Sequence, residues 1–276
     1  MRGSRRKRWG ISLLLLLLLF LSGPLFPYAR SLAVMGVYSG QHSRESFLAE
    51  EGIRLEIPGG LATPGRDWHP LVMTFNDDLG FSRYVGKDVR LSILYNFGAF
   101  DLGRGASSWY NPESPYYGGF YGAYAIREGE VPREGRREHL LRRIREATLY
   151  DMKHLVLESI GCREPVMEIS VEEVREVPSY AGVPDWEQAD VTLKVNGPIH
   201  RADGDHLAYL QYGKPPKAWY RGEDFPLVAL EGLVYFKYFE KEELLVAFYA
   251  VGANREVLER TDRKILSQSI LAFRGD

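Results

Sequence analysis

The chain has a single cysteine, Cys162, in 276 residues. No intrachain disulfide is possible, so the fold must stand on its own core. A lone thiol near the end of a helix reads as a small buried apolar group. The motifs that announce a reaction are missing as well. There is no G-x-S-x-G turn to expose a nucleophilic serine, no H-E-x-x-H helix for zinc, and no glycine loop with lysine for phosphate. No EF-hand loop and no internal repeat appear. These absences exclude the familiar enzyme classes, and no cofactor is expected.

Acidic residues are absent from the first 33 positions, where six of the 35 basic residues lie. The remainder is therefore eight charges acidic, although the whole chain is close to neutral. An acidic surface excludes nucleic acid as a partner, because phosphate backbones are bound by basic patches. It equally disfavours anionic lipid surfaces.

The N-terminus carries Arg2, Arg5, Arg6, Lys7 and Arg8, then an apolar run from Ile11 to Leu21, then the helix-breaking Ser22-Gly23-Pro24. That order is a secretory signal. The run is ~11 residues, against the ~20 needed to span a bilayer. Ser31-Leu32-Ala33 supplies the small residues of a cleavage site, and Pro27-Tyr28-Ala29 is a second choice. Residues 1–33 are read as a signal peptide, with an uncleaved anchor over residues 11–28 as the alternative. Either way the positive end stays inside and the rest is exported. Ser4-Arg5-Arg6 only faintly resembles a twin-arginine signal, and no cysteine follows the apolar run to accept a lipid.

Periodicity then outlines the exported part. Residues 34–51 read as a loose lead-in or short helix. Alternation predicts strands at Gly52–Pro58, Leu71–Phe75, Arg90–Phe97 and Tyr117–Ile126, with Asn76-Asp77-Asp78 as a turn. Arg136–Ile160 is the strongest helix, with Leu141, Ile144, Thr148, Met152, Leu155 and Val156 on one side. Strands follow at Val166–Val177, Val191–Asn196, Leu207–Tyr212, Leu227–Phe239 and Leu244–Val251. The charged residues 239–243 join the last two as a hairpin. A helix over Arg255–Ala272 closes the chain. The expected class is α+β: an antiparallel sheet carrying the central and C-terminal helices on one face. A β-rich part, 34–130, precedes the α+β part, 131–276. Residues 129–135, polar with Pro and Gly, mark the boundary. The first part either extends the sheet or forms a separate lobe.

Three constellations carry chemistry. Trp109, Tyr110, Asn111, Tyr116, Tyr117 and Tyr121 belong to an aromatic segment spaced by Gly, Ser and Pro. Exposed rings on a loop stack on sugars or on partner side chains. The competing reading is an irregular strand whose rings pack onto the sheet. His200, Asp203, Asp205 and His206 have the composition of a divalent-metal loop, and equally of a polar hairpin turn built on Asp-Gly. Asp151, His154 and Glu158 lie three and four apart on one side of the central helix, which suits either ligation or local charge pairing. Asp67-Trp68-His69-Pro70 reads as a strand entry.

The reading that follows is an exported cell-envelope or extracellular binding or assembly protein, non-catalytic, with an envelope polymer or a protein as partner. The alternatives are a metal-dependent hydrolase built on the His200–His206 loop and a membrane-anchored protein that binds a membrane complex. In either case membrane contact is confined to the N-terminal segment.

Overall fold

The computed structural model describes residues 12–15, 17–19, 25–62, 67–98, 100–101, 106–158, 162, 164–197 and 225–274. The class is α+β, organised on one large antiparallel sheet.

Helix α1 (Leu25–Arg44) runs into the body of the protein. The folded core meets it at Met35, 1 % exposed. Ser39 Oγ accepts from the amide of Thr74 at 2.8 Å, and His42 Nδ1 accepts from the amide of Asn76 at 3.3 Å. Of the two readings for residues 34–51, a loose lead-in or a short helix, the structure has helix, and the end of α1 is stitched to a strand. Helix α2 (Phe47–Glu51) is capped by Ser46, whose side chain accepts from Ala49. Strand β1 (Arg54–Glu56) pairs with the chain's last strand, β11 (Ile270–Ala272).

Seven strands form the main sheet: β2 (Met73–Asn76), β3 (Arg90–Phe97), β6 (Phe120–Arg127), β7 (Met167–Tyr180), β8 (Val183–Asn196), β9 (Leu227–Phe239) and β10 (Leu244–Gly252). Their order across the sheet is β2-β3-β6-β10-β9-β8-β7. Strands from both sides of residues 129–135 pair directly, for β6 is hydrogen-bonded to β10. A short pair, β4 (Phe100–Asp101) and β5 (Ala106–Ser107), stands apart from the sheet. Two hairpins fix the register. Ala181 and Gly182, both with positive φ, make the two-residue turn between β7 and β8. Residues 240–243 turn β9 into β10, where the charged hairpin was expected. The outer strand β7 carries Glu168, Glu172, Glu173, Arg175 and Glu176 and is largely exposed, which discourages further strand pairing at that edge.

Asp77, expected in a turn, instead caps a helix, α3 (Asp78–Val85), accepting from the amide of Gly80 at 3.0 Å. Asp78 ties that helix to β3 through Arg90 Nε (2.8 Å) and the amide of Leu91 (2.9 Å). The central helix α4 (Arg136–Leu149) continues as a π-helical turn over Tyr150–Leu157. The last helix is α5 (Arg255–Lys264), shorter than expected because the chain then turns back into β11.

The two long helices divide between the faces of the sheet, where the amphipathic patterns were expected to share one. Leu140, Ile144 and Ala147 of α4 pack with Ile93, Tyr124, Val191 and Tyr249. Val257 and Leu258 of α5 pack with Tyr121, Trp186, Leu233 and Phe248. Alternate residues of each central strand therefore enter two different cores. The physical reason is visible in β6, which is buried on both sides from Phe120 to Ile126. A sheet apolar on both faces needs a cover on each.

Alpha4 is anchored by a buried ion pair. Arg143 is 2 % exposed and its guanidinium meets Glu128 at 2.8 Å and Glu146 at 2.6 Å, while His139 Nε2 lies 2.9 Å from Glu128. Low solvent access strengthens such a pair and makes the loss of one partner costly.

Candidate functional site

Between α4 and its face of the sheet lies a cavity of about 560 Å³. All seven strands of the sheet contribute to its floor. On one side the floor is aliphatic, with Ile169 of β7, Val191 and Leu193 of β8, and Leu230 and Val234 of β9. On the other it is aromatic, with Tyr95, Phe120, Tyr124 and Tyr249. The roof is Leu141, Ile144 and Thr148 of α4, then Asp151, Met152, Leu155 and Val156 of the π-helical turn. The volume falls in the range of small-molecule sites, which are apolar with a few placed polar groups. A π-helical turn widens the backbone and is often found at functional sites.

Two sequence features open this space. The cavity-facing residues of β8 are Ala189, Val191, Leu193 and Val195, all small or branched. Gly122 of β6 sits directly opposite Tyr249. A Cβ built there would lie 2.6 Å from the Tyr249 hydroxyl, so glycine is what lets that phenol occupy its place. Strand β7 also slips register between Val171 and Glu173, beside the lining residue Val171. Such bulges redirect side chains next to binding sites.

The polar centre of the cavity is Asp151. Its Oδ2 accepts a hydrogen bond from the Tyr124 hydroxyl at 2.8 Å. The Tyr124 ring stacks on Tyr249 with centroids 4.6 Å apart. Removal from water raises the Asp151 carboxyl to about 6, with the Tyr124 bond pulling in the opposite direction. Burial, followed by the charge of Asp151, raises the phenols of Tyr124, Tyr249 and Tyr95, which therefore stay protonated as hydrogen-bond donors. The arrangement combines a carboxyl poised near neutrality, phenolic donors and a wide apolar surround. It can hold a polar group of a small molecule or exchange a proton with it.

The other members of the helix trio point elsewhere. His154 Nδ1 lies 2.9 Å from Glu158, and its ring meets Tyr84 and Tyr150 at centroid distances of 5.5 and 5.9 Å. Among the described residues no group of three or more His, Cys, Asp or Glu side chains converges as a metal site. His200, Asp203, Asp205 and His206 lie outside the described residues, as does the strand expected at Leu207–Tyr212.

The aromatic segment is turned inward. Trp109 and Tyr121 are 0 % exposed, Tyr110 3 %, Tyr117 6 % and Tyr116 8 %. Trp109 packs edge-on to Tyr110 and Phe120, at 4.5 and 5.2 Å between centroids, in the α4 core. Tyr116 and Tyr121 pack edge-on to Trp68 at 5.2 and 4.9 Å, in the α5 core. The Tyr121 hydroxyl donates to the carbonyl of Pro58 at 2.7 Å. Asn111 is half-buried, and its side chain accepts from the amide of Glu113 at 3.1 Å. The rings are thus shared between two cores and leave almost no area for a polymer to stack on. The cause differs along the segment: Tyr121 lies on β6, which is covered on both sides, whereas Trp109 and Tyr110 sit in a 3-10 turn and Tyr116 and Tyr117 in the turns that follow, all folded back onto the sheet.

Trp68 and His69 are buried as well, and the His69 ring stacks on Phe97 at 4.7 Å. Burial lowers the His69 imidazole, keeping it neutral. Cys162 is 6 % exposed and its thiol is raised by burial, which suits a packing role.

Asp151 was legible as a polar residue beside an apolar helical stripe, but Tyr124 was not legible as its partner. The signal that does exist is the run of small and branched residues at 189, 191, 193 and 195 beneath a helix with no large aromatic on its inner stripe.

Comparison of the chain with protein-family models, with curated proteins and with solved structures gave no match.

Proposed function

We propose that this is an exported, non-catalytic binding protein whose ligand is an apolar small molecule held in the cavity under α4. The observation that carries the reading is the cavity itself: about 560 Å³, floored by apolar side chains from seven strands. A close-packed interior does not keep such a space without a use. A ligand that buries ~300 Å² of apolar surface there gains ~7 kcal/mol before association costs.

Export rests on the N-terminus. The basic cluster and apolar run have the order of a secretory signal. The described leucines of that run are exposed, with Leu13 at 72 % and Leu19 at 68 %. Among the described residues no helix is long and apolar enough to cross a membrane. Among the described residues the first core side chain is Met35, just beyond the expected cleavage site after Ala33. N-terminal sequencing of the protein from its own cells reads this directly: a chain that starts near Val34 supports it, and an intact Met1 end in the cytoplasm overturns it.

Neutral N-phenylnaphthylamine, whose fluorescence rises in apolar surroundings, tests the cavity. Saturable enhancement with wild type, lost in a folded Val191→Trp variant that fills the space, is the expected result. Equal enhancement in both proteins would contradict it.

A further inference from the structure

Resting on that reading of the cavity, the chemistry of its mouth narrows the ligand further. A lining residue that is also exposed marks the opening. Tyr38, Arg142, Arg145 and Val171 meet both conditions. Two of these four are guanidinium groups, three residues apart and hence on one side of α4.

The neighbouring arginines of that helix are already engaged. Arg136 bonds Glu240, Arg137 bonds Glu187, and Arg143 bonds Glu128 and Glu146. Arg142 donates to a ring atom of His139 at 2.8 Å. Neither Arg142 nor Arg145 has a carboxylate partner among the described residues. Two uncompensated guanidinium groups at the rim of an apolar space, on a protein that is otherwise acidic, form a local site for an anion.

The interior sets the orientation. Among the described residues Asp151 is the one carboxyl in the lining, and its charge opposes a second anion beside it. A negatively charged head therefore stays at the mouth, and only the apolar portion enters. From this we infer that the ligand is a single-chain amphiphile with an anionic head group, carboxylate or phosphate. The head lies against Arg142 and Arg145. The chain runs inward past Leu141, Val171 and Ile169 toward the aliphatic floor.

Calorimetric titration with four probes tests this: dodecanoate, dodecyl phosphate, dodecanol and inorganic phosphate. The two anionic amphiphiles are expected to bind at least about tenfold more tightly than dodecanol, as two charged contacts predict. An Arg142→Gln/Arg145→Gln variant, altered only at exposed side chains, is expected to lose that advantage and to bind dodecanol as wild type does. Equal affinity for dodecanoate and dodecanol overturns the anionic head while leaving the cavity reading standing. Inorganic phosphate binding as tightly as dodecyl phosphate overturns the amphiphile, since the head alone would then suffice. Failure of every probe, dodecanol included, removes both the cavity reading and the inference.

Discussion

The two faces of the central sheet carry the same kind of polar group in opposite settings. Under α5, Asp262 accepts from the hydroxyls of Tyr180 at 2.7 Å and Tyr235 at 2.8 Å, whose rings stack at 3.7 Å. Trp186 and Phe248 pack against Tyr180, and Trp68 adds its bulk to the same core. Under α4, Asp151 accepts from Tyr124, beside a floor that includes Ala189, Val191, Leu193 and Val195. One face spends large rings on close packing. The other carries rings too, Trp109, Phe120, Tyr124 and Tyr249 among them, but sets the small and branched side chains of β8 beneath the helix and keeps a space there. A carboxylate bonded to tyrosine thus sits in a filled layer in one place and beside open space in the other.

Core truncations should separate the faces most strongly. Trp186→Ala, from a filled layer, is expected to cost about 4 kcal/mol in urea denaturation, whereas Leu193→Ala, beside existing space, should cost about 2 kcal/mol. Equal costs would mean that the α4 face is as closely packed as the other.

Glu128→Gln leaves Arg143 buried without its main counter-charge. It is expected to cost about 3 kcal/mol by the same measurement. A cost near zero would mean that the pair does not hold α4 over the cavity.

The smallest expected effect concerns the two carboxylates. The Asp151 carboxyl is raised from its ordinary value to about 6 in the folded protein. Between about pH 4 and pH 6 the folded state therefore holds a proton that the unfolded state has lost. Asp151 costs no stability below that window. Its penalty grows as pH rises through the window and is complete above it. Asp151→Asn should stabilise the protein at pH 7 by about 1 kcal/mol, allowing for the open cavity, and should do little at pH 4. Asp262→Asn, which weakens two phenol bonds in a packed layer, should destabilise at pH 7. The groups near Asp151 are the phenols of Tyr95, Tyr124 and Tyr249, all raised by burial and so protonated throughout that window, with the guanidinium groups of Arg142 and Arg145 at the mouth. An amphiphile whose head stays ionised throughout, such as dodecyl sulfonate, should accordingly bind more tightly at pH 5 than at pH 7, as the interior charge disappears.

Much of the fold was readable from local pattern. Arg90–Phe97 alternates and Leu227–Phe239 is a long run rich in apolar and aromatic residues, and both are strands with those bounds. The charged 239–243 segment turns where its composition says it should. Alpha3 was hidden because Asp77 suits a turn and a helix cap equally well, and only the bond to Gly80 distinguishes them. An apolar stripe shows that a helix is covered, but not which face of a sheet covers it, so the division of α4 and α5 was not legible. The rings at 109–121 posed a related problem: Gly, Ser and Pro mark turns there, but composition does not tell whether rings on a turn face solvent or fold back onto the sheet. The cavity was the least legible feature, because it is a volume left over between seven strands and a helix rather than a property of any one segment.

Calorimetry of dodecanol binding at several temperatures tests the central claim most directly, because it needs only an apolar chain and a space. The account predicts saturable one-to-one binding with a negative heat-capacity change, abolished in folded Val191→Trp. No saturable heat with wild type, or unchanged binding in that variant, would contradict it.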